Sequence, residues 1–243
     1  MKFIEVQMYS VILSPDAFRL IMSSTLEAYA VPHGRNDDPN HYRPLETYGA
    51  LWGYSVTRDG ETIFHITAAD IDSSAHRTPN WVRRKHEALC LKSGFYKRYN
   101  RELEYLGDFH SHPYSAEADG VRITARDVES QHCYRFSGTP GDDQSDSGDF
   151  ADVKYLKEAN FPYRIGFVAT VYKMTKVVAN PREEWLDGVS AIRFTYNGPD
   201  ADETTRSFRC WLKAYIFPDE TNTPASDNVV TLLCPSLGFL PCE

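Results

Sequence analysis

Hydrophobic and polar residues change their spacing several times along the chain, and each change predicts a new element. Residues 3–13 alternate as in a strand. Residues 14–16 (Ser-Pro-Asp) then predict a helix start, with serine as the N-cap and proline at the first helical position. Apolar residues follow at helical spacing over 18–29 and give one buried stripe. The chain therefore begins with a predicted strand and an amphipathic helix.

Strand and helix patterns recur later without regular alternation. The predicted strands are 45–56, 61–68, 103–109, 163–174, 189–197 and 207–217, and the predicted helices are 81–97 and 123–136. Gly49 and Gly53 mark positions where another part of the backbone approaches the first of these strands closely. This mixture predicts an α/β (mixed) fold, in which one mixed β-sheet is flanked by helices.

The composition is that of an ordinary globular domain. The chain has 243 residues, of which 42% are hydrophobic and 25% charged, enough for one large domain with its own core. The net charge of −8 argues against a general nucleic-acid or anionic-membrane binder. No apolar run approaches the roughly 18 residues that a membrane span requires. We therefore expect no nucleic-acid partner and no membrane partner.

Cysteine usage and the first residues indicate a compartment. The five cysteines are odd in number, scattered and without a CxxC pair, which is typical of a reducing environment. Glu5 and Gln7 interrupt the apolar segment at the beginning of the sequence, and no small-residue cleavage site follows it. We expect a cytoplasmic protein.

The segment from Gly107 to Pro113 (GDFHSHP) carries the most informative chemistry. His110 and His112 lie two residues apart on a predicted strand, so both imidazoles project from the same face. Two imidazoles on one face reach a single metal ion, and a catalytic zinc site usually takes three ligands from the protein. An HxH pair also occurs by chance on surface strands, so this interpretation depends on a third ligand.

Thr124 and Asp127 open the next predicted helix. Their spacing of three is that of a capping arrangement, in which a hydroxyl and a carboxylate bind backbone N–H groups at the helix start. In the alternative interpretation, the helix start presents the Asp127 carboxylate to the histidines as the third ligand. The spacing alone does not separate the two.

A further motif lies upstream, in residues 46–53 (ETYGALWG). An acid such as Glu46 on an apolar strand is costly to bury without a partner, and a metal-bound water is such a partner. The motifs E-T-x-G-x-L-x-G, G-x-x-H-S-H-P and [S/T]-x-x-D, in this order, resemble the JAMM (JAB/MPN+) metallopeptidase family, in particular its stand-alone prokaryotic JAB proteins. The resemblance implies a single JAB/MPN-type domain over 1–175, with a β-rich C-terminal extension over 176–243 packed on it.

The resemblance also implies a ligand set and a mechanism. His110, His112 and Asp127 would hold one Zn²⁺ per chain, with water in the fourth position. Glu46 would act as general base toward that water and later as general acid toward the leaving amine. Thr124 would donate its hydroxyl to the oxyanion, a role that the family gives to a serine.

The segment 113–123 is about four residues longer than the family pattern. Ser115 and Asp119 are therefore alternatives to Thr124 and Asp127. We favour Thr124 and Asp127 because they keep the internal spacing and open a helix, whereas Asp119 precedes a glycine in a predicted turn.

Asp108 and the acidic segment 137–149 each have two interpretations. Asp108 shares a strand face with His110, so it either orients a ligand histidine or is a solvated acid. The segment 137–149 is predicted to be an exposed, mobile Gly/Ser loop. The resemblance adds a lesser alternative, a role as a mobile lid that seats the substrate.

The resemblance implies a zinc-dependent isopeptidase or peptidase that cleaves after the C-terminal tail of ubiquitin or a ubiquitin-like protein. E1/E2-like enzymes of the same operon are further expected partners. The alternatives are a non-catalytic MPN-type interaction scaffold and a zinc hydrolase of a small peptide or amide. The complete set of expected side chains favours the enzyme, whereas the long 113–123 spacing keeps the scaffold open.

Overall fold

The computed structural model describes residues 7–31, 33, 44–78, 80–114, 117–118, 121–140, 148–199, 205–218 and 221–240. These residues form a mixed α/β fold, as predicted. The helices are α1 (Pro15–Ala30), α2 (His86–Tyr99), α3 (Ala125–Ser130) and α4 (Asp149–Glu158). The strands are β1 (Met8–Leu13), β2 (Tyr48–Arg58), β3 (Glu61–Ile71), β4 (His76–Arg77), β5 (Val82–Arg83), β6 (Glu104–Tyr114), β7 (Glu117–Ala118), β8 (Val121–Arg122), β9 (Ile165–Lys173), β10 (Glu184–Leu186), β11 (Ala191–Pro199), β12 (Thr205–Ile216) and β13 (Val230–Leu233).

Nine of the described strands form one mixed sheet, in the order β10-β11-β12-β9-β6-β2-β3-β1-β13. The pairs β1–β13, β1–β3 and β6–β9 are parallel, and the other neighbours are antiparallel. The sheet is curled, and its two ends lie next to each other. Val189, which follows β10, forms a β-bridge with Thr231 in β13. Leu232 N–H donates to the Val189 carbonyl at 2.9 Å. Strand β13 thus has part of its outer edge covered.

Helix α1 packs its apolar stripe against this sheet. Ser14 is the N-cap, as predicted, and its hydroxyl accepts a hydrogen bond from Ala17 N–H at 3.2 Å. Ala17 and Ile21 are fully buried in the main core, and the apolar residues of β3, β6 and β9 lie in the same cluster. Burial of a side chain such as Ile21 stabilises the fold by about 1.5–3 kcal/mol.

Several predicted boundaries differ from the observed ones. The predicted helix 123–136 ends early, at Ser130, and turns follow over 131–134. The predicted helix 81–97 begins only at His86, because Val82–Arg83 form strand β5, which pairs with β4. Helix α4 and strand β13 were not predicted at all.

The residues after 175 contribute strands to the same sheet. Strand β12 pairs with β9 on one side and with β11 on the other, and most of its residues are buried. The boundary between a domain over 1–175 and an extension over 176–243 stays a prediction. In the part of the chain that the structure describes, no helix has the length and apolarity needed to cross a membrane.

The close approaches predicted at Gly49 and Gly53 are confirmed. A Cβ atom at Gly49 would overlap the carbonyl oxygen of Asp70, and one at Gly53 would overlap the carbonyl oxygen of His65. Both partner carbonyls belong to β3, the antiparallel neighbour of β2. These glycines therefore allow the first half of β2, which begins two residues after Glu46, to pair closely with β3.

We expect Gly49→Ala to lower the free energy of unfolding by about 1–3 kcal/mol, because the new methyl group forces two paired strands apart. Gly94→Ala is the control, since a Cβ at Gly94 meets nothing within 4 Å and the residue lies inside helix α2. That variant should gain about 0.5–1 kcal/mol. Denaturant unfolding of the two variants measures both changes, and equal stability of Gly49→Ala and wild type would contradict the expectation.

Candidate metal centre

Strand β6 brings the two histidines together near its end. His110 pairs with Tyr48 across the sheet, which fixes the register of β6 against β2. Because side-chain direction repeats every two residues, both imidazoles face the same side, and their Nε2 atoms lie 3.1 Å apart. His110 is buried, with 6% of its surface exposed.

The carboxylate that meets these imidazoles belongs to Asp149. His110 Nε2 lies 3.2 Å from Asp149 Oδ1, and His112 Nε2 lies 3.7 Å from Asp149 Oδ2. Atoms that bind zinc at 2.0–2.1 Å in a tetrahedral arrangement are about 3.3 Å from one another. The Nε2–Nε2 distance and the two Nε2–oxygen distances, one to each carboxylate oxygen, are near that value. One ligand atom from each of the three residues lies within 4.8 Å of the other two, and they form the one such group of three or more among the described residues.

Local backbone geometry sets the position of Asp149. It is the first residue of α4, and the preceding Gly148 has φ +94°, a conformation that favours glycine. Ser137 N–H donates to Asp149 Oδ2 at 2.6 Å, and Asp149 N–H donates to Ser137 Oγ at 3.1 Å. This reciprocal pair of hydrogen bonds holds the carboxylate at the helix start, where it faces the histidines.

The tautomer of His112 suits a metal ligand. Its Nδ1 lies 3.0 Å from the carbonyl oxygen of Cys133, which only accepts hydrogen bonds. Nδ1 therefore carries a proton and donates to Cys133, and Nε2 is the ring atom that faces Asp149 and His110. Metal-bound histidines usually make a hydrogen bond of this kind with the other ring nitrogen.

Without a metal ion, the charges of the centre compensate one another. Burial by itself would lower the pKa of His110, but the carboxylate of Asp149, helped by Glu46 and Asp108, raises it to about 9. Burial by itself would raise the pKa of Asp149, but His110 and His112 hold it well below its usual range. The centre thus keeps a carboxylate ionised in a buried position beside two imidazoles.

Glu46 lines the same cleft and is held there by the residue between the two histidines. Ser111 Oγ accepts from Thr47 N–H at 2.8 Å, and Ser111 N–H donates to the Thr47 carbonyl at 2.9 Å. Glu46 N–H donates to the Thr78 carbonyl at 2.9 Å, which ties this segment to the β4–β5 hairpin. Because Ser111 points to the opposite face from the histidines, the HSH motif both presents two imidazoles and positions Glu46.

The Glu46 carboxyl has a pKa near neutral pH. Burial raises its pKa to about 7, while the nearby His112 and His110 oppose that rise. Only 6% of the residue surface is exposed. A carboxyl with a pKa near 7 both accepts and donates a proton readily at neutral pH.

Asp108 is a buried acid rather than a solvated one. Its carboxylate accepts hydrogen bonds from the Tyr48 hydroxyl at 2.8 Å and the Tyr163 hydroxyl at 2.6 Å. Arg84 Nη1 lies 3.8 Å from the same carboxylate. Burial raises the pKa of Asp108, although Arg84 and the two hydroxyls act in the opposite direction. These groups line the same cleft as His110, and the described hydrogen bonds of the Asp108 carboxylate go to the two tyrosines.

The candidate metal centre opens into a cleft of about 730 Å³. Its lining residues come from β6, from the start of α4 and from the segments beside them. They include Glu46, Tyr48, Trp81, Arg84, Asp108, His110, His112, Phe136, Ser137, Asp149 and Asp152. Trp81 is 47% exposed and lies at the rim. The volume is in the range of ordinary ligand sites.

The structure does not bring Asp127 and Thr124 to this centre, and the predicted ligand set is corrected accordingly. Thr124 N–H and Oγ1–H donate to Asp127 Oδ2 at 2.8 and 2.6 Å, and Asp127 N–H donates to Thr124 Oγ1 at 3.2 Å. This capping box at the start of α3 uses the groups that the resemblance assigns to metal and oxyanion. The alternatives Ser115 and Asp119 lie outside the described residues.

Asp149 was missed because it stands at the end of the predicted acidic loop 137–149. Residues 141–147 of that loop lie outside the described residues, but Asp149 itself is helical and 19% of its side chain is exposed. A signal was available: Phe150, Val153 and Leu156 follow at a spacing of three, and all are buried. An acid just before such a stripe predicts the first turn of a helix.

Comparison with known proteins adds no assignment. No protein-family model matches the chain, and no characterised protein matches it significantly in sequence.

Proposed function

We propose that the chain is a zinc-dependent isopeptidase or peptidase of the JAMM type, which cleaves after the C-terminal tail of ubiquitin or a ubiquitin-like protein. The observation that carries the proposal is the grouping of His110, His112 and Asp149 in one cleft with the buried Glu46. With Asp149 in the place of Asp127, this set has the composition that the resemblance requires, namely two imidazoles, a ligand carboxylate and a second carboxyl. Nitrogen and oxygen ligands in this number suit zinc.

Each residue has a part in the proposed hydrolysis. A zinc ion held by the two histidines and Asp149 would supply Lewis-acid activation of water and of the scissile carbonyl. Glu46 takes the proton of the attacking water and passes it to the leaving amine. The Glu46 pKa of about 7 suits both proton transfers.

The oxyanion needs a hydroxyl donor, and Thr124 does not line the cleft. Ser137 does, and its hydroxyl retains a proton for donation while it accepts the hydrogen bond from Asp149 N–H. We therefore assign the oxyanion role to Ser137 in place of Thr124.

The substrate class follows from the resemblance and from the shape of the site. The cleft, which the half-exposed Trp81 helps to line, has a volume of about 730 Å³ and so has room for an extended peptide segment next to the candidate metal centre. A tail of ubiquitin or of a ubiquitin-like protein is such a segment. In this proposal the protein acts in the cytoplasm, next to E1/E2-like enzymes of the same operon, and its described cysteines are free thiols.

The proposal is tested with ubiquitin, or the ubiquitin-like protein of the same operon, joined through its C-terminal carboxyl to a short peptide or a lysine side chain. We expect the zinc-loaded chain to release the protein with an intact tail, as mass spectrometry detects. A chelator should stop the release, and added zinc should restore it.

Two results would overturn the proposal, and each supports a different alternative. Cleavage of short peptides without cleavage of any tail-linked protein would favour a zinc hydrolase of small amides. Binding of a ubiquitin-like protein by a zinc-loaded chain that hydrolyses nothing would favour a non-catalytic MPN-type scaffold.

A further inference from the structure

Residues 133–137, which we call the bridging segment, hold two of the three candidate ligands. The Cys133 carbonyl accepts from His112 Nδ1–H at 3.0 Å. At the other end of the segment, Ser137 exchanges two hydrogen bonds with Asp149, at 2.6 and 3.1 Å. A shift of this segment would therefore move the ring of His112 and the carboxylate of Asp149 together.

The middle of the bridging segment is attached to strands and turns that follow residue 175. Phe136 N–H donates to the Tyr215 hydroxyl at 3.0 Å, and the two rings pack with their centroids 4.4 Å apart. Arg135 Nη2 donates to Asp187 Oδ1 and lies 3.7 Å from Asp227 Oδ2. All three partners, Asp187, Tyr215 and Asp227, come from the C-terminal part of the chain.

The attachment point is an ionic cluster around Lys213 of β12. Lys213 is fully buried; its ammonium donates to Ser190 Oγ at 2.6 Å, pairs with Asp227 and lies 3.2 Å from Asp187 Oδ2. With Arg135, the cluster holds two cations and two carboxylates. Loss of Arg135 or of either carboxylate leaves a charge of this cluster uncompensated, which is costly beside the fully buried Lys213.

From these contacts we infer that Arg135 and Tyr215 are positioning residues of the metal centre, and that the C-terminal part of the chain sets the geometry of His112 and Asp149 through the bridging segment. The inference deepens the proposed function, since it rests on metal binding at the centre. It gives the C-terminal part of the chain, for which the sequence suggests no role, an indirect part in metal binding.

The experiment measures zinc affinity by competition with a chromophoric chelator, on the full chain and its variants. Arg135→Gln removes the charge that pairs with Asp187 and Asp227, and we expect about tenfold weaker zinc binding, at the low end of the loss for outer-shell partners. Arg135→Lys keeps the charge and should recover part of the affinity. Tyr215→Phe removes one hydroxyl and should weaken zinc binding at least about threefold, because Phe136 N–H loses its partner.

The control separates positioning from general stability. Arg193 lies on β11 with its side chain 21% exposed, against 35% for Arg135, and its ion pairs are with Glu129 and Glu184. Arg193→Gln should lower the midpoint of thermal unfolding of the metal-free chain and leave zinc affinity within twofold of wild type.

Each outcome has one meaning. Unchanged zinc affinity in both Arg135→Gln and Tyr215→Phe, beside a zinc-binding wild type, would refute the inference and leave the proposed function standing. A wild type that binds no zinc would refute both. If Arg135→Gln fails to fold, Tyr215→Phe decides, since it removes only a hydroxyl from a buried ring.

Discussion

Replacement of Asp149 by asparagine or alanine is expected to weaken zinc binding by more than about 100-fold, beyond the loss that an outer-shell partner causes. The carboxylate lies 3.2 Å from His110 Nε2 and 3.7 Å from His112 Nε2, and it is the anionic member of the ligand group. Its removal leaves two imidazoles, which are too few for a catalytic zinc site. Zinc content per chain after dialysis, followed by chelator competition, measures the effect.

Asp127→Ala is the matched control for this prediction. Asp127 is also an acid in the first turn of a helix, but its carboxylate is bound to Thr124 in the capping box. We expect the variant to retain one zinc per chain and to lose a little thermal stability, since α3 loses the carboxylate half of its capping box and keeps Thr124 as its N-cap. Loss of zinc from Asp127→Ala together with its retention by Asp149→Ala would return the third ligand to Asp127 and refute the revised site.

Replacement of Glu46 by glutamine is expected to lower the rate of hydrolysis by about 10²–10⁴-fold, the usual contribution of a positioned general base. In transition-state terms this loss is about 3–5 kcal/mol. Glutamine has nearly the same shape, so zinc content should stay at the wild-type value. The measurement is the turnover of a tail-linked substrate at saturating concentration, with zinc analysed on the same sample.

Glu104→Gln makes the same chemical change at an exposed position of β6 and should leave turnover unchanged. Wild-type turnover in Glu46→Gln would refute the proposed role of Glu46. Loss of zinc from Glu46→Gln would show that this carboxyl is a ligand rather than a base.

The buried Glu46 carboxyl should also reduce the stability of the metal-free chain at alkaline pH. Burial raises its folded-state pKa to about 7 from an ordinary value of 4.5, so the folded state binds the proton more tightly than the unfolded state does. The stability from this group is complete below pH 4.5 and is lost as the pH rises through 7. At pH 8, metal-free Glu46→Gln should therefore be more stable than wild type, which unfolding at pH 5 and pH 8 would reveal. The function would then cost stability at this position.

Most elements of the fold are readable in the sequence because they follow local rules. The Ser-Pro-Asp start of α1, the alternation along β12 and the glycines of β2 each depend on neighbours in the chain or on one adjacent strand. Helix α4 has a weaker signal, since its apolar residues follow a long acidic segment. Strand β13 is four residues long and gains its hydrogen bonds from β1, about 220 residues earlier in the chain.

The candidate site also combines features that local sequence rules predict with features that only the tertiary structure shows. The sequence by itself determined that His110 and His112 face one side, because a strand has a period of two residues, and it singled out Glu46 as an acid among apolar neighbours. It did not determine which acid meets the histidines, because a carboxylate three residues after a threonine satisfies a helix cap locally whether or not a metal is near. Only the tertiary structure decided that question: the parallel pairing of β6 with β9 and the hydrogen bonds of Ser137 bring the start of α4 beside the two rings. His112 and Asp149 are 37 positions apart in the sequence (149 − 112). Whether two such residues meet depends on the path of the chain between them, which local spacing rules do not describe.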